Sequence, residues 1–532
     1  MKTIQALLLL IIVCTFVSSQ VSEQWAARYE PAGNDKASLI SLDTAGNVYI
    51  SGYTYGGDSI TTAKYNPAGV LQWIKSFKGG NGTRSPRAMA VDIAGNIFIT
   101  GEESPSTFTD YFLLKYNTAG EFQWVQYYNV NAESAAAIAL DNAGNILITG
   151  LCSTSDTDVL TVKYSTQGVM QWAQIYNPPP GNLNETGTDI GIDDSNNVYV
   201  SGYRLVNGLY DFLVIKYNSA GMQQWVSVYD GPDGSNDYLT KIAVSKTGNC
   251  YITGRSYGST TDFDYATVKY NLNGVQQWVQ RYNGTAGSGS GSDLPYDIAI
   301  DKNENVIITG QSQGLNSNFD YVTVKYSPDG TQKWVQRYDG PGNGYEAAYS
   351  LAIDSLGNAY VTGSSWGSGS FADYATIKYN TLGALEWVMR YSGPENQDEG
   401  FAIAVNNSGS VYVTGWSRGT ITNMDYCTIK YSQVVNINLI TNEIPDKFAL
   451  SQNYPNPFNP TTKIKFDIPK SSFTRLSIYD VLGREVSVLV NEDLKAGSYS
   501  IELNASNMPS GVYFYKLTAG DFSEVKKLVL VK

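Results

Sequence analysis

The stretch "DYATVKYNLNGVQQWVQRYNG", from Asp264 to Gly284, recurs in close copies along most of the chain. The last copy, "DYCTIKYS" (Asp425–Ser432), lacks the segment that carries the tryptophan. Such a tryptophan segment stands alone near the N-terminus, as "SEQWAARYE" (Ser22–Glu30). The two incomplete copies complement each other, which indicates that the two ends of the repeat region belong together.

Each copy follows a second motif, for example "YDIAIDKNENVIITG" (Tyr296–Gly310), which predicts two short strands around a turn. The strands are rich in Val, Ile, Tyr and Thr, and most turns have the form Asp/Asn-x-x-Gly, in which Gly takes a positive φ. The tryptophan recurs at intervals from 48 residues (Trp25 to Trp73) to 56 residues (Trp278 to Trp334). Four antiparallel strands in a unit of about 50 residues are typical of a β-propeller blade.

Three positions of this unit each occur eight times. The glycine that ends the second strand is found at Gly52, Gly101, Gly150, Gly202, Gly254, Gly310, Gly363 and Gly415. The third-strand lysine is found at Lys64, Lys115, Lys163, Lys216, Lys269, Lys325, Lys378 and Lys430. The fourth-strand tryptophan is found at Trp25, Trp73, Trp124, Trp172, Trp225, Trp278, Trp334 and Trp387, and it is expected to pack between blades.

The phase of the tryptophans predicts how the fold closes. Trp25 precedes the first unit, and the last unit ends without a tryptophan. We therefore expect an all-β, eight-bladed propeller that the N-terminal strand closes, because closure removes two unpaired sheet edges. Seven blades are the alternative if one unit is degenerate.

Composition and charge restrict the possible functions. The 532 residues include no histidine, and the net charge is −13. From Lys447 to the end there are 11 basic and 8 acidic residues, so the negative charge lies in the repeat region. Such a surface disfavours nucleic acid as a partner. The lack of histidine excludes a Ser-His-Asp triad and His-ligated zinc or haem.

The N-terminus, "MKTIQALLLLIIVCTFVSSQ", has one basic residue and a short apolar run, and it predicts a cleaved secretory signal over residues 1–19. No other segment is long and apolar enough to predict a transmembrane span. Three cysteines, Cys152, Cys250 and Cys427, then remain in different repeats. Their apolar strand contexts favour buried free thiols over a disulfide or a catalytic thiol.

The loops indicate which face of the propeller carries function. The first and third turns of each unit are short and uniform, whereas the second turns and the linkers between units are long and variable and share the other face. Variable loops on a rigid scaffold are the usual place for binding. Aromatic and arginine side chains in the second turns are the candidate ligand-binding residues: Tyr53, Tyr55, Tyr203, Arg204, Arg255, Tyr257, Trp366, Trp416 and Arg418. Alternatively, several of them only cover the blade ends.

Acidic side chains provide further candidates. An aspartate opens each third strand, with a structural role or a role in a cation-binding ring: Asp58, Asp110, Asp158, Asp211, Asp264, Asp320, Asp373 and Asp425. Glu102, Glu103 and Glu185 could supply paired carboxylates for hydrolysis, but no catalytic residue is assigned. The linker "DGPDGSND" (Asp230–Asp237) could hold Ca²⁺, although the D-x-D-x-D-G spacing is absent. No other metal or cofactor is predicted.

The sequence motif of the repeat, D-x-x-GN-x-Y-x-TG followed by DY-x-T-x-KY and QW, resembles the SBBP beta-propeller repeats of bacterial secreted proteins over about Val21–Ser432. The resemblance implies the fold but no single activity. Its usual name implies seven blades, and the eight copies here depart from that number.

The composition changes after residue 432. Residues 433–446 are predicted to be a linker, and residues 447–532 a small Ig-like β-sandwich. The phrases "YPNPFNPTT", "IYDVLGREV" and "LNASNMPSGVYFYKL" resemble the type A sorting domain of type IX (Por) secretion substrates. This resemblance implies Sec export to the periplasm, contact with the secretion machinery, passage across the outer membrane and a bacterium of the Bacteroidetes–Chlorobi type. In that family the tail is commonly removed and the cargo is attached to the cell surface or released.

Together these features predict a secreted or cell-surface propeller over residues 20–432 that binds glycan or protein ligands without catalysis. A carbohydrate-active hydrolase or lyase, with carboxylates and Tyr in the propeller funnel, is the first alternative. A purely architectural surface protein is the second.

Overall fold

The computed structural model describes residues 20–531 with short internal gaps, so the predicted leader lies outside the described residues. The gaps are 31–33, 55–58, 79–81, 105–108, 131, 154–155, 180–183, 285–290, 315–317, 370, 407–408, 421–422, 435–436, 442–443, 482, 484, 506–507 and 509. The described residues form strands and no α-helix. They belong to two compact units, one over Glu23–Ser432 and one that contains Gln433–Lys532.

Seven sheets of the first unit each contain four consecutive antiparallel strands in chain order. Sheet 1 contains β2 (Lys36–Leu42), β3 (Val48–Tyr53), β4 (Ser59–Tyr65) and β5 (Leu71–Lys78). Sheet 2 contains β6 (Thr83–Val91), β7 (Ile97–Ser104), β8 (Asp110–Tyr116) and β9 (Phe122–Tyr128). Sheet 3 contains β10 (Ala132–Leu140), β11 (Ile146–Ser153), β12 (Thr157–Tyr164) and β13 (Met170–Tyr176). Sheet 4 contains β14 (Asn184–Ile192), β15 (Val198–Val206), β16 (Leu209–Tyr217) and β17 (Gln223–Tyr229). Sheet 5 contains β18 (Asp237–Val244), β19 (Cys250–Gly258), β20 (Asp262–Tyr270) and β21 (Gln276–Tyr282). Sheet 6 contains β22 (Asp293–Ile300), β23 (Val306–Gln313), β24 (Phe319–Tyr326) and β25 (Gln332–Tyr338). Sheet 7 contains β26 (Ala347–Ile353), β27 (Ala359–Trp366), β28 (Ala372–Tyr379) and β29 (Leu385–Tyr391).

Sheet 8 combines the two ends of the repeat region. It contains β30 (Asp398–Val405), β31 (Val411–Ser417), β32 (Asp425–Val434) and β1 (Gln20–Tyr29). The N-terminal strand β1 is hydrogen-bonded beside β32, in the order β1-β32-β31-β30. Trp25 on β1 and Lys430 on β32 both donate to the carbonyl oxygen of Pro67 in sheet 1.

The uniform turns of the repeat have one hydrogen-bonding scheme. In the turn after β2, a carboxylate oxygen of Asp43 accepts the amides of Ala45 and Asn47, and Gly46 takes a φ of 78°. This aspartate therefore satisfies the amides that the reversal leaves without a strand partner. The third turn of sheet 1 repeats the scheme with Asn66 as the acceptor.

A tryptophan joins most neighbouring sheets at the short-turn end. Its indole N–H donates over 3.0–3.3 Å to a carbonyl in the third turn of the next sheet. These donors and acceptors are Trp25 to Pro67, Trp73 to Thr118, Trp172 to Ser219, Trp225 to Leu272, Trp278 to Pro328 and Trp334 to Thr381. The rings also pack on the turn glycine of the next sheet, as Trp225 does on Gly274. The predicted packing role is confirmed, with rings that are mostly half-buried.

The three cysteines of the first unit are buried and unpaired, as predicted. Burial raises the pKa of Cys152 and of Cys427 to about 12 and raises the pKa of Cys250 further. A thiol with so high a pKa is protonated at neutral pH and is a poor nucleophile.

The second unit contains two further four-stranded sheets. Sheet 9 has the order β33 (Ile437–Thr441), β38 (Gly497–Asn504), β35 (Thr461–Ile468), β34 (Ala449–Leu450). Sheet 10 has the order β37 (Glu485–Leu494), β36 (Ser472–Tyr479), β39 (Gly511–Ala519), β40 (Phe522–Leu530). The two sheets share one core, to which Ile464 and Ile501 contribute from sheet 9 and Leu476 and Leu517 from sheet 10. Among the described residues no helix has the length and hydropathy needed to cross a membrane.

Candidate functional site

An aromatic cluster lies at the long-loop end of sheets 4 and 5. Tyr203 and Tyr210 of sheet 4 pack on Tyr238 of sheet 5, with ring centroids 5.0–6.3 Å apart. Phe263 continues the cluster from Tyr238 at 6.0 Å and reaches Tyr257 at 5.5 Å. All five rings are partly exposed, so they form a surface that combines apolar faces with phenol hydroxyls. Surfaces of this kind suit sugars and protein side chains.

Arg255 is held in this cluster by aromatic rings. Its guanidinium carbon lies 4.5 Å from the ring centre of Tyr238 and 5.1 Å from that of Phe263. Within the described residues, its side chain makes neither an ion pair nor a hydrogen bond. Arg281 of the same sheet, by contrast, donates to Asp264 over 2.7 Å and also to Ser256. The donors of the Arg255 guanidinium are therefore not used by protein groups among the described residues.

The structure places the other predicted ligand residues apart from this cluster. Trp366 is 40% exposed and contacts Phe371 in sheet 7, while exposed Arg418 of sheet 8 donates to Gln397. Trp416 is only 2% exposed, because its indole N–H donates to Glu399 and Lys36 covers its ring, so its assignment to an exposed platform is wrong.

The remaining candidates are distributed over sheets 1 and 4. Arg204 pairs with Asp211 at 3.3 Å within sheet 4. Tyr53 in sheet 1 is half-buried, and burial raises its pKa. Tyr55 lies outside the described residues. Of the nine candidates, therefore, Tyr203, Arg255 and Tyr257 come together in one cluster.

Sequence reasoning missed three rings of the cluster: Tyr210, Tyr238 and Phe263. A signal for two of them was available, because an aromatic residue directly precedes the third-strand aspartate in "LYDF", "DFDY" and "NFDY". Tyr238 has no such signal. It joins the cluster because Tyr238 pairs with Arg255 across β18 and β19, a register that only the fold establishes.

A second aromatic row follows the first strands of sheets 6, 7 and 8. Tyr296, Tyr349 and Phe401 contact one another in sequence, with centroids 5.5 and 5.7 Å apart. Each occupies the irregularity in its strand pairing, where one extra residue interrupts the ladder. Such bulges re-aim a side chain away from the regular alternation, which explains how three large rings line neighbouring first strands.

The third-strand aspartates form ion pairs in the last four sheets. Arginine on the fourth strand binds them over 2.6–2.8 Å, as Arg281 to Asp264, Arg337 to Asp320, Arg390 to Asp373 and Arg28 to Asp425. Each of these arginines also donates to a serine at the end of the second strand. In these four sheets the aspartates therefore have the structural role that was one of the two expectations, and it consists of an ion pair with arginine.

The glutamates considered for hydrolysis are engaged in structural interactions or buried. Glu103 forms an ion pair with the fully buried Arg84, and Glu102 pairs with Arg87 and accepts from Ser134. Glu185 is fully buried, and desolvation together with nearby Asp158 raises its pKa to about 7. None of the three presents the separated pair of accessible carboxyls that glycoside hydrolysis requires.

A charged group lies on the first strands of sheets 4 to 6. The ammonium of Lys241 is 3.7 Å from Asp189, and Asp189 and Asp297 accept the amides of Ile242 and Leu351 in the next sheets. Asp189 is the main cause of a raised pKa at Lys241. A raised pKa favours the protonated form of Lys241 and so disfavours a role as general base.

Acidic triplets lie at two junctions between sheets. Asp211, Asp230 and Asp237 place one carboxylate oxygen each within 4.8 Å of one another at the junction of sheets 4 and 5. Asp320, Asp339 and Glu346 do the same at the junction of sheets 6 and 7. The first triplet includes both ends of the linker that was considered for Ca²⁺.

Comparison with known families identifies both parts of the chain. A secretion system C-terminal sorting domain matches residues 452–532, and a beta-propeller repeat matches residues 333–370. Both resemblances are thereby confirmed. The sorting domain indicates export by the type IX secretion system to the cell surface or the extracellular space, and with it interaction with that machinery.

Individual relatives are distant. The chain is 24% identical to an uncharacterized WD repeat-containing protein of Acanthamoeba polyphaga mimivirus, covering 74% of this chain and 30% of the relative. Among solved structures, the polysaccharide lyase Uly1 matches with 12% identity and a TM-score of 0.41, over 76% of this chain and 90% of the lyase. A polysaccharide lyase described as an ulvan lyase matches with 11% identity and a TM-score of 0.39, over 69% and 95%. Similarities this low do not transfer an activity.

Proposed function

We propose that this exported β-propeller-repeat protein binds glycan chains, without cleaving them, through the aromatic cluster of sheets 4 and 5. The observation that carries the proposal is Arg255, stacked on Tyr238 and Phe263 with no acidic partner among the described residues. Sugar rings stack their C–H faces on aromatic rings, and their hydroxyl or carboxylate oxygens accept from a guanidinium.

The position of the cluster supports this use. It is built from residues of first, second and third strands next to the long second turns. The uniform turns at the other end instead make contacts between sheets. A ligand at the long-loop end therefore meets variable side chains and does not compete with the bonds that hold the fold together. A protein ligand would use the same rings.

Glycan-array screening of the purified protein, followed by calorimetry with the retained oligosaccharide, tests the proposal. We expect Arg255→Met and Tyr238→Ala each to weaken binding about tenfold or more, since about 1.4 kcal/mol corresponds to a factor of ten. Lys302→Met, in an exposed first turn of sheet 6, is the matched control and should bind like the wild type. Thermal melting verifies that each variant is folded.

Two results would refute glycan binding: no oligosaccharide retained on the array, or equal affinities of the wild type and Arg255→Met. Assays for new reducing ends and for unsaturated uronate products, run on the same polysaccharides, test the catalytic alternative. Product formation that survives Arg255→Met would assign catalysis to another site.

We also infer that sheets 1 to 8 form a single eight-bladed ring that β1 closes. The contact from Trp25 to Pro67, between sheets 8 and 1, has the same donor and acceptor atoms as the contact from Trp73 to Thr118 between sheets 1 and 2. Tyr426 of sheet 8 likewise donates to Thr61 of sheet 1, as Tyr374 does to Cys427. The junction of first and last sheets thus repeats the interior junctions.

The junction of sheets 7 and 8 differs from the other junctions, and the difference supports the same inference. Sheet 8 has no turn between its third and fourth strands, because these strands come from opposite ends of the repeat region. The indole N–H of Trp387, which would donate to that turn, is buried without a hydrogen-bond partner among the described residues. A ring closed by its first strand accounts for the missing acceptor at this junction.

A further inference from the structure

The junction between sheets 6 and 7 brings three carboxylates together. Asp320 stands on the third strand of sheet 6, Asp339 follows β25, and Glu346 directly precedes β26. One oxygen from each lies within 4.8 Å of the others. Asp320 and Glu346 are buried, whereas Asp339 is exposed and gives the group an opening to solvent.

Glu346 is the member of this group that a structural role does not explain. Its side chain is fully buried, and neither carboxylate oxygen accepts a hydrogen bond of ordinary geometry from the described residues. Burial, followed by the charges of Asp339 and Asp320, raises its pKa to about 7, although the nearby amides of Trp366 and Gly344 oppose the rise. A buried carboxylate without partners is costly unless a ligand satisfies it.

The equivalent aspartates at three other junctions have a clear structural role. Asp237, Asp293 and Asp398 each accept the amide of the linker glycine, over 2.6, 2.7 and 2.7 Å. Glu346 occupies the same place in its sheet but is one methylene longer, and it does not accept the amide of Gly340. Glu185 of sheet 4 also occupies this place and is buried without a hydrogen bond, but of these two glutamates only Glu346 belongs to an acidic triplet among the described residues.

The linker adds a further carboxylate at the same junction. The residue before the linker glycine is Asn283 after sheet 5 and Ser392 after sheet 7, but it is Asp339 after sheet 6 and Asp230 after sheet 4. At the junction of sheets 6 and 7 this carboxylate stands beside the carboxylate of Glu346. Both residues add carboxylate oxygens to one place.

We propose that Asp320, Asp339 and Glu346 bind a divalent cation of the Ca²⁺ class between sheets 6 and 7. Ca²⁺ takes oxygen ligands at about 2.3–2.6 Å, so two of its ligands are separated by at most about 5 Å, and three oxygens that all lie within 4.8 Å of one another can reach one ion. Carboxylates in mono- or bidentate modes, together with water at the exposed side of Asp339, supply the ligands that Ca²⁺ requires.

The local charge fits a divalent ion. Three carboxylates carry three negative charges, and Arg337, which pairs with Asp320 at 2.6 Å, offsets one of them. Two negative charges remain in a largely buried site, and a divalent cation neutralises both. At the junction of sheets 4 and 5 the third carboxylate, Asp237, is already bound by the Gly231 amide, so we expect weaker binding there.

The site adjoins Trp366, an exposed ring at the long-loop end. The amide of Gly342 donates to the carbonyl of Trp366, and Gly344 packs directly against its indole ring. A cation bound by Asp339 and Glu346 would tie both ends of the loop that supports this ring. It would also place the indole near enough to sensitise a bound lanthanide.

Calorimetry on chelator-treated full-length protein, with CaCl₂ and in parallel with MgCl₂, tests the site. We expect saturable Ca²⁺ binding with a dissociation constant of about 10⁻⁴–10⁻³ M, the range of extracellular modules, and weaker Mg²⁺ binding. Tb³⁺ should emit on excitation of Trp366 and be displaced by Ca²⁺. The Trp366→Phe variant should lose most of this emission while it retains Ca²⁺ affinity.

Variants assign the ligands. Asp339→Asn and Glu346→Gln should each weaken Ca²⁺ binding at least tenfold and abolish the Ca²⁺-dependent rise in melting temperature. Asp230→Asn, the matched change at the junction of sheets 4 and 5, should leave both unchanged. Glu346→Gln should melt no lower than the wild type without Ca²⁺, because it removes a buried charge, so lost binding cannot be ascribed to misfolding. Absence of Ca²⁺ binding by the wild type, equal affinity in Asp339→Asn, or loss of binding in Asp230→Asn would each overturn the proposal.

Discussion

Glu185 offers a direct test of the buried electrostatics. It is the second residue of β14 in sheet 4, is fully buried, and has neither carboxylate oxygen in a hydrogen bond with the described residues. Desolvation, then the charges of Asp158 and Asp156, raise its pKa from 4.5 to about 7, and Arg204 only partly offsets this rise. The folded protein therefore binds a proton at Glu185 more tightly than the unfolded chain does.

The sign and size of the effect follow from this difference. Between pH 4.5 and 7 the folded state retains the proton that the unfolded state has lost, so the free energy of unfolding falls as the pH rises through this window. Because one pKa unit corresponds to about 1.4 kcal/mol, ionised Glu185 costs the folded state about 3 kcal/mol above pH 7. Glu185→Gln removes the ionisation and should stabilise the protein by up to about 3 kcal/mol at pH 8, but by little at pH 4.5.

Urea denaturation of the wild type and Glu185→Gln, at pH values from 4.5 to 8, measures this difference. Glu395→Gln, an exposed linker position, controls for the loss of one negative charge and should show no comparable change with pH. The reasoning is wrong if the difference between Glu185→Gln and the wild type stays constant from pH 4.5 to 8. It is also wrong if the variant is less stable at pH 8.

Further predictions concern closure, ion pairing and the thiols. Deletion of Gln20–Tyr29 should lower the melting temperature and cause association through the exposed edge of β32. A peptide of residues 20–30 should restore the melting temperature, and the same peptide with Trp25→Ala should not. A truncated protein that melts like the intact one argues against closure by β1. Arg281→Met should lower the free energy of unfolding, measured by urea denaturation, by about 3–5 kcal/mol, because it leaves the buried Asp264 carboxylate without its 2.7 Å partner. The double variant Arg281→Met with Asp264→Asn should lose less stability than Arg281→Met alone. A merely steric effect of the substitution would not give this order. Cys152, Cys250 and Cys427 should resist a disulfide reagent at pH 8 in the native protein and react after unfolding, and rapid native labelling would contradict their burial.

Most of the sheet organisation could be predicted because the repeat places each turn and strand in the same order eight times. The Asp-x-x-Gly turns and the strand-ending glycines act locally, so their structural meaning can be inferred from one copy. The site was harder to predict, because its parts come from different sheets. Arg255 and Tyr257 are separated by one residue, but Tyr238 reaches them only through the register of β18 with β19. Trp416 shows the opposite error, since its loop context suggested exposure and Glu399 on the neighbouring strand buries it.

The arginines show why repeat positions alone do not define the electrostatics. In sheets 5 to 8 the arginine that neutralises the long-loop end stands on the fourth strand, but in sheet 4 it is Arg204 on the second strand, and in sheet 2 it is Arg84 on the first. The charge balance is therefore retained while the residue that provides it changes strand. In sheet 5 the fourth-strand arginine, Arg281, pairs with Ala266 on the third strand. The equivalent pair in sheet 3 is Leu160 with Ile175, so sheet 3 has isoleucine where sheet 5 has the arginine. Asp158 of sheet 3 consequently lies near Glu185 without a fourth-strand arginine, and its charge adds to the desolvation that is the main cause of the raised pKa of Glu185.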